Sequence, residues 1–457
     1  MKIKVENLGA IKQGEIDLSK NLILFTGPNN SGKSYMSYLV YGFYELISTK
    51  SKWSEKVTEK VQETIQKVTT ISENGYKYSV SIEDLITPLG RLFEEQFKNV
   101  IDTSDNDVFG TDIGLSHLSF KIDFDKQYLL GENNSEESDD YITEIQDGVF
   151  TLEAKSSLRP KEVHISYDFP LFVSYLFLRA VFGNGLGKIV TFFPAERTAL
   201  TMVAKEIVKN KASERDEIIR KLQYSKISEL KKEFQDKLPR YPLAIADYID
   251  WVNDLDQITR NESEFHDLAN EIEELMLKGK VSTSDFGNIR FTPPKSKKPL
   301  ELHVSSSLVK SLSGLILYLR HQAREHDVIM IDEPELNLHP DSQILVARAL
   351  AKLVNAGFKL IISTHSDYII KEMNNLIMLH KQKGNKELIQ SFDCTEDMLI
   401  DREDMSVYFF NEGTIKDLEI TETGVAIPTI NSAIDEMNDR MEDIYYKVFE
   451  ENEEMAD

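Results

Sequence analysis

The sequence predicts an α/β fold organised around a phosphate-binding loop, and three stretches predict it. Gly27-Pro28-Asn29-Asn30-Ser31-Gly32-Lys33-Ser34 has the spacing G-x-x-x-x-G-K-[ST]. It sits between the apolar run Leu22 to Thr26 and a helical pattern from Tyr35 to Leu46. A second apolar run, Val328-Ile329-Met330-Ile331, ends in Asp332-Glu333. A third, Leu360-Ile361-Ile362, ends in Ser363-Thr364-His365. Apolar runs that close on polar residues read as buried strands with functional C-terminal ends.

Each stretch has a chemical reason. Glycines let the backbone curl so that successive N–H groups face one anion. The helix that follows adds its N-terminal partial charge. The expected nucleotide-binding set is Gly27, Asn29, Asn30, Ser31, Gly32, Lys33, Ser34 and Tyr35. Lys33 reaches the β- and γ-phosphates, and the Ser34 hydroxyl ligates Mg²⁺. Asp332 holds Mg²⁺ through water, and Glu333 polarises the attacking water. His365, on the next strand, is the expected γ-phosphate contact. An acidic turn or a single histidine is ordinarily structural; the phosphate loop in the same chain changes that reading.

Bulk composition bounds the rest. The 457 residues suffice for a large core in two or three parts. Against 53 Lys+Arg stand 77 Asp+Glu, a net charge of −24. That balance disfavours a general nucleic-acid coat, while a local basic patch keeps DNA or RNA open as a trigger. One cysteine, Cys394, leaves no internal disulfide framework and fits a reducing cytoplasm. The N-terminus shows no signal-peptide pattern. The most apolar run, Leu171 to Phe182, is too short for a bilayer and is read as buried helix.

Taken in order, residues 1–200 form an N-terminal lobe with a variable insertion at about 50–185. Lys2 to Asn7 and Gly14 to Leu18 read as strands. Ser54 to Val68 and Ile82 to Phe97 read as helices, Tyr76 to Ile82 as an edge strand. The acidic segment Gly131 to Asp140 reads as a loop. Residues 201–286 read as an inserted helical arm, with a basic excess that includes Lys231, Lys232 and Lys237. Residues 287–385 form a C-terminal lobe, with strands at Asn288 to Thr292, Leu300 to Val304 and Leu376 to Leu379 besides those named. Residues 386–457 carry a late hairpin around Asn411-Glu412-Gly413 and an acidic helical tail from Ala433.

Four segments together resemble a known family. Gly27–Ser34, Val328–Glu335, Asn337-Leu338-His339-Pro340 and Ser363–Asp367 resemble the Walker A, Walker B, D-loop and H-loop of ABC-type ATPases, most closely the RecF, SMC and OLD branch and its prokaryotic AAA family ATPase relatives. Val5-Glu6-Asn7-Leu8-Gly9 and Pro194-Ala195-Glu196-Arg197 are similar to the same branch. The resemblance implies a P-loop NTPase with an ABC-type ATPase head, a mixed sheet and an inserted helical arm subdomain.

It also implies ATP and Mg²⁺ as ligands and a homodimer or higher homo-oligomer through the heads. Ser306 or Ser307 stands where the signature serine of the partner head belongs. Leu312-Ser313-Gly314 has similar letters within a helical stretch. No glutamine matches the Q-loop; Glu196-Arg197 stands near its place. The OLD branch carries a nuclease domain, whereas Asp393, Asp397, Asp401, Glu403 and Asp404 lie in a loop-like setting here. The resemblance therefore implies a separate effector, such as a nuclease in anti-phage systems of the Septu and PARIS types. The leading expectation is a cytoplasmic ATP-hydrolysing switch; an ATP-dependent scaffold and a DNA-clamping repair ATPase are the alternatives.

Overall fold

The computed structural model describes residues 2–47, 190–222, 241–296 and 298–447, with six strands between 70 and 154. The helices expected at 54–68, 82–97 and 171–182 lie outside the described residues, as do Lys231, Lys232 and Lys237.

A nine-stranded mixed sheet forms the centre. Its members are β1 (Lys2–Leu8), β2 (Ile11–Asp17), β3 (Leu22–Thr26), β6 (Ser119–Asp123), β10 (Val190–Phe193), β14 (Val328–Asp332), β15 (Lys359–Ser363), β16 (Met405–Asn411) and β17 (Thr414–Leu418), while β4 (Thr70–Ile71), β5 (Lys77–Ser81), β7 (Asn134–Glu137), β8 (Tyr141–Gln146) and β9 (Val149–Ala154) form a second sheet and β11 (Lys280–Thr283), β12 (Ile289–Thr292) and β13 (Leu300–Glu301) a third. The order is β10-β14-β15-β3-β16-β17-β2-β1-β6. The first five strands run parallel. They read as continuous apolar runs because both of their faces are covered; every residue of β3 and of β14 is buried. β16 and β17 form the expected hairpin, with Asn411 opposite Thr414 and positive φ at Glu412 and Gly413. That is the backbone of a two-residue hairpin turn.

β15 separates the phosphate-loop strand from the Asp332-Glu333 strand, pairing with each in parallel. The C-terminal ends of β3, β15 and β14 therefore open on one edge. This is the arrangement of an α/β P-loop NTPase head of the ABC type, with ligand chemistry outside the carboxyl ends of parallel strands.

Helices cover the sheet. α1 (Lys33–Ile47) follows the loop and buries Met36, Leu39, Val40 and Phe43. α2 (Arg197–Leu222) leads to α3 (Leu243–Asn253) and α4 (His266–Leu277). Tyr248, Ile249 and Val252 of α3 and Ile272 and Met276 of α4 belong to the same core as Phe193 and Ile329. The stretch read as an arm over 201–286 thus includes core-forming helices. α5 (Ser307–His321) and α6 (Pro340–Asn355) complete this layer.

Four local expectations are corrected. Tyr76 to Ile82, read as an edge strand, holds β5 (Lys77–Ser81), which pairs with β4 on one side and β9 on the other. Leu376 to Leu379 is no strand but the end of α7 (Asp367–His380). Ser366 caps that helix by accepting from Ile369 N, and Ile369, Ile370, Met373, Leu376 and Ile377 make one buried face. The strand read from Leu300 stops at Glu301, and Leu302–Val304 is a 3₁₀ turn. Within the acidic segment Gly131 to Asp140, Asn134–Glu137 is a strand (β7) paired antiparallel with β8 (Tyr141–Gln146). A ladder partner outweighs the low strand propensity of those residues.

One tie between layers is ionisable. Tyr41 Oη of α1 donates to Asp247 Oδ2 of α3 at 2.8 Å. Burial pushes the Asp247 carboxyl up to about 6. The folded chain then holds this proton at a pH where the unfolded chain has released it, so stability is lost as pH rises from about 4 through 6. Asp247→Asn keeps an acceptor for Tyr41 without the charge. It is expected to be more stable than wild type by about 1–3 kcal/mol at pH 8 and nearly equal at pH 4, measured by urea unfolding at both. An equal loss at the two pH values would show that hydrogen-bond geometry, not ionisation, dominates.

Candidate nucleotide-binding site

The loop's conformation follows from its glycines. Gly27 and Gly32 have φ of +137° and +99°, and Asn30 also has positive φ. A Cβ on Gly27 would lie 2.1 Å from the Phe410 carbonyl oxygen of β16, so no side chain fits there. α1 begins at Lys33, which directs its free N–H groups into the loop.

Lys33 is buried and bends over the loop. Its ammonium donates to the carbonyls of Gly27 at 3.1 Å and Pro28 at 2.9 Å. Burial pushes it down to about 8, while Asp332, Glu333 and Glu335 pull it back up. The charge is thus held among neutral acceptors, next to the place an anion would occupy.

Ser34 Oγ donates to Asp332 Oδ2 at 3.2 Å, joining the loop to the end of β14. Ser363 Oγ of β15 donates to Asp332 Oδ1. Burial pushes the Asp332 carboxyl up, held back by these two hydroxyls. A hydroxyl and a carboxylate side by side, both oxygen donors, fit a Mg²⁺ ion that keeps waters and phosphate oxygens as its other ligands. Ser34 and Asp332 are the residues that would hold it.

Glu333 follows with φ +46°, an unusual conformation for a non-glycine residue. Its N–H donates to the Ser363 carbonyl at 3.0 Å. The twist turns its side chain towards His365, with Oε1 3.5 Å from Nε2. Burial, then the charge of Lys33, lowers the His365 pKa, while a hydrogen bond to the Gly27 backbone opposes the shift. The two expected catalytic residues therefore meet beside the loop.

Glu335 sets the height of this edge. Its Oε1 accepts from Thr364 Oγ1 at 2.9 Å and from His365 N at 2.6 Å. Burial pushes its carboxyl up.

Arg197 does more than the sequence revealed. It is 4% exposed. Its guanidinium donates to the backbone carbonyls of Asp332 at 2.8 Å, Glu333 at 3.0 Å and Pro334 at 3.2 Å. It also donates to Ser311 Oγ at 2.7 Å and to Pro194 O at 3.1 Å. One side chain clamps the segment that carries both acidic residues and ties it to α5. Glu196 beside it is exposed, and its charge contributes to raising the Asp332 carboxyl.

Ser306 and Ser307 stand elsewhere. Ser306 caps α5, accepting from Val309 N at 3.4 Å, and both serines are exposed. Ser313 and Gly314 are buried inside α5, with Gly314 against Tyr248 and Phe193. Tyr35 packs its ring on Gly9, joining α1 to the turn between β1 and β2.

Solved structures similar to this chain include an SMC head bound to the C-winged helix domain of ScpA, at 11% identity, 91% of this chain, 96% of that chain and a TM-score of 0.34. Another is an SMC head domain with an extended coiled coil bound to the C-terminal domain of ScpA from Pyrococcus furiosus, at 11% identity, 96% and 98% coverage and a TM-score of 0.31. A third is the SMC head domain from Thermotoga maritima, at 11% identity, 92% and 98% coverage and a TM-score of 0.30. No curated protein matches the sequence. Residues 1–370, which carry the phosphate loop, the Asp332-Glu333 strand and His365, match the family described as AAA ATPase domain, and the chain belongs to that family.

Proposed function

We propose that the protein binds ATP with Mg²⁺, hydrolyses it, and uses the cycle as a switch on a separate effector. The observation that carries this reading is convergence at one sheet edge. Lys33, the Ser34–Asp332 pair and the Glu333–His365 pair come from three neighbouring strands and their following turns.

On binding, the triphosphate takes the place of the loop carbonyls as partner of the Lys33 ammonium. The loop N–H groups and the α1 N-terminus hold the β-phosphate. Ser34 and Asp332 would hold Mg²⁺, which would supply positive charge against the phosphates. Glu333 accepts a proton from a water whose oxygen attacks the γ-phosphorus, and the bond from that phosphorus to the β,γ-bridging oxygen breaks. His365, whose pKa burial lowers, orients Glu333 and faces the γ-phosphate.

Ser306 and Ser307, exposed at the N-terminus of α5, are the groups this chain offers to a nucleotide held by a second head. Two heads closing face to face would then share each ATP. Two of the acidic residues after His365 are engaged within this chain. Asp397 is engaged by Lys352, and Asp401 caps a 3₁₀ turn by accepting from Glu403 N at 2.9 Å. These carboxylates have structural partners rather than a shared cavity. A nuclease effector, and an anti-phage setting of the Septu or PARIS type, follow from the family resemblance of the motifs.

The test is titration of ATP·Mg²⁺ into wild type and Lys33→Ala, with phosphate release measured beside it. Lys33→Ala is expected to bind at least about tenfold more weakly, since a charge-assisted contact contributes roughly 1.5–3 kcal/mol. Unchanged affinity would sink the nucleotide assignment.

A further inference from the structure

We propose that the C-terminal helix is a self-association element, pairing in parallel with the same helix of a second copy of this chain. The helix Pro428–Tyr445 starts with proline at its first turn and carries no glycine. Every described side chain from Glu436 to Lys447 is exposed. Among them Met437 is 65%, Met441 70% and Ile444 53% exposed. Three large apolar side chains on one helix, all open to water, are costly unless something covers them.

Their spacing says what kind of cover fits. Ile430, Ile434, Met437, Met441 and Ile444 alternate steps of four and three. That is the spacing of a left-handed coiled-coil seam, with Ile434 and Met441 at a positions and Ile430, Met437 and Ile444 at d positions.

Charge chooses the occupant. In this register Asp435, Glu436, Asp439, Glu442 and Asp443 all fall at b, c and f, on the side away from the seam. The flanking e and g positions hold Asn431, Asn438 and Tyr445, and Ala433, Arg440 and Lys447. Two copies of this acidic helix can therefore meet without acidic residues facing each other. Parallel pairing sets Arg440 opposite Tyr445 of the second copy. Antiparallel pairing would set g against g, bringing Arg440 and Lys447 of both copies together, so parallel is favoured.

A basic helix from an effector would instead call for acidic residues at e and g, which this helix lacks. A two-fold axis through the pair leaves both heads equivalent, which is compatible with heads that close on each other. About two and a half heptads make a weak pair alone. Tethered to closing heads, the same pair raises the local concentration of each head for the other.

The test uses the full chain, whose one native cysteine, Cys394, is buried. Met441→Cys places thiols at facing a positions of a parallel pair. Asp439→Cys places them at f, on opposite outer surfaces. Diamide accepts the two protons and two electrons released when two thiols join. Without nucleotide, Met441→Cys is expected to give a covalent dimer on a denaturing gel, while Asp439→Cys and wild type stay monomeric. In parallel, Met437→Asp with Met441→Asp is expected to lower the nucleotide-free dimer fraction at least tenfold by sedimentation, with unchanged thermal unfolding of the head. Equal cross-linking at 439 and 441, none at either, or a dimer fraction indifferent to the aspartates would each overturn the proposal. Retained ATP binding in the aspartate variant separates this outcome from failure of the nucleotide reading.

Discussion

Glu333→Gln is expected to bind ATP·Mg²⁺ as tightly as wild type and to hydrolyse it about a hundredfold or more slowly, the lower end of what loss of a general base costs. Glutamine keeps the side-chain length, and its carbonyl oxygen can still meet His365 Nε2. It cannot take a proton from water. Glutamine tolerates φ near +46° no better than glutamate, so the backbone strain of about 1 kcal/mol is the same in both proteins. A rate loss would therefore report chemistry rather than misfolding. The readouts are phosphate release and solution mass with and without ATP·Mg²⁺.

The mass should be read with Met437→Asp and Met441→Asp also present, so that tail pairing does not hide head closure. In that background ATP is expected to convert Glu333→Gln from monomer to dimer. Near-normal turnover would mean another residue positions the water. A dimer that forms without nucleotide, joined to negligible wild-type turnover, would favour a scaffold in which ATP is architectural.

How much of this was legible in the sequence depends on how far each residue's partners lie along the chain. The phosphate loop is local: Gly27 to Ser34 contain the turn, the charge and the hydroxyl, so spacing alone gives the chemistry. Asp332, Glu333 and His365 are legible because apolar strands end on them, and strand ends are where parallel sheets present side chains. Strand order is not local. Nothing in Leu360–Ile362 says that β15 lies between β3 and β14, yet that position brings His365 within 3.5 Å of Glu333.

Leu376–Leu379 misleads because four apolar residues fit a strand and a buried helix face equally. The signal that separates them is ten residues upstream, in the Ser366 cap and the spacing Ile369, Ile370, Met373. The helices within 243–277 look like a charged arm because Asp247, Asp250, Asp267, Glu271, Glu273 and Glu274 interleave their apolar residues. Only contact with Phe193 and α5 shows them to be core.

Glu196-Arg197 is noticeable in sequence as the stretch near the Q-loop position, but the clamping role of Arg197 is not, and its replacement has the largest expected effect on stability. Its acceptors lie 114 residues away at Ser311 and 135–137 away at Asp332, Glu333 and Pro334. Two opposing effects decide the outcome of Arg197→Ala. Removing a buried guanidinium removes its own desolvation cost, which is large enough to depress its pKa. Against that, three carbonyls in one tight turn, the Ser311 hydroxyl and a cavity the size of the side chain are left without a partner. Stranded acceptors cost roughly 1–3 kcal/mol each, so together they win, and a net loss of about 3–5 kcal/mol is expected in urea unfolding.

Arg197→Lys keeps the charge but not the planar fork that reaches several carbonyls at once. It is expected to recover less than half of that stability. The site should fail with the clamp. The clamped carbonyls belong to the residues that carry the Mg²⁺ carboxylate and the base, and an ångström of drift there is enough to slow hydrolysis about a hundredfold. Turnover in Arg197→Lys, measured where the variant is still fully folded, is therefore expected to fall well below wild type while ATP affinity, set by Lys33 and the loop, stays within a few fold. Wild-type turnover in the folded variant would make Arg197 a stability element only, with Asp332 and Glu333 held in place by Ser363 and Ser34 alone.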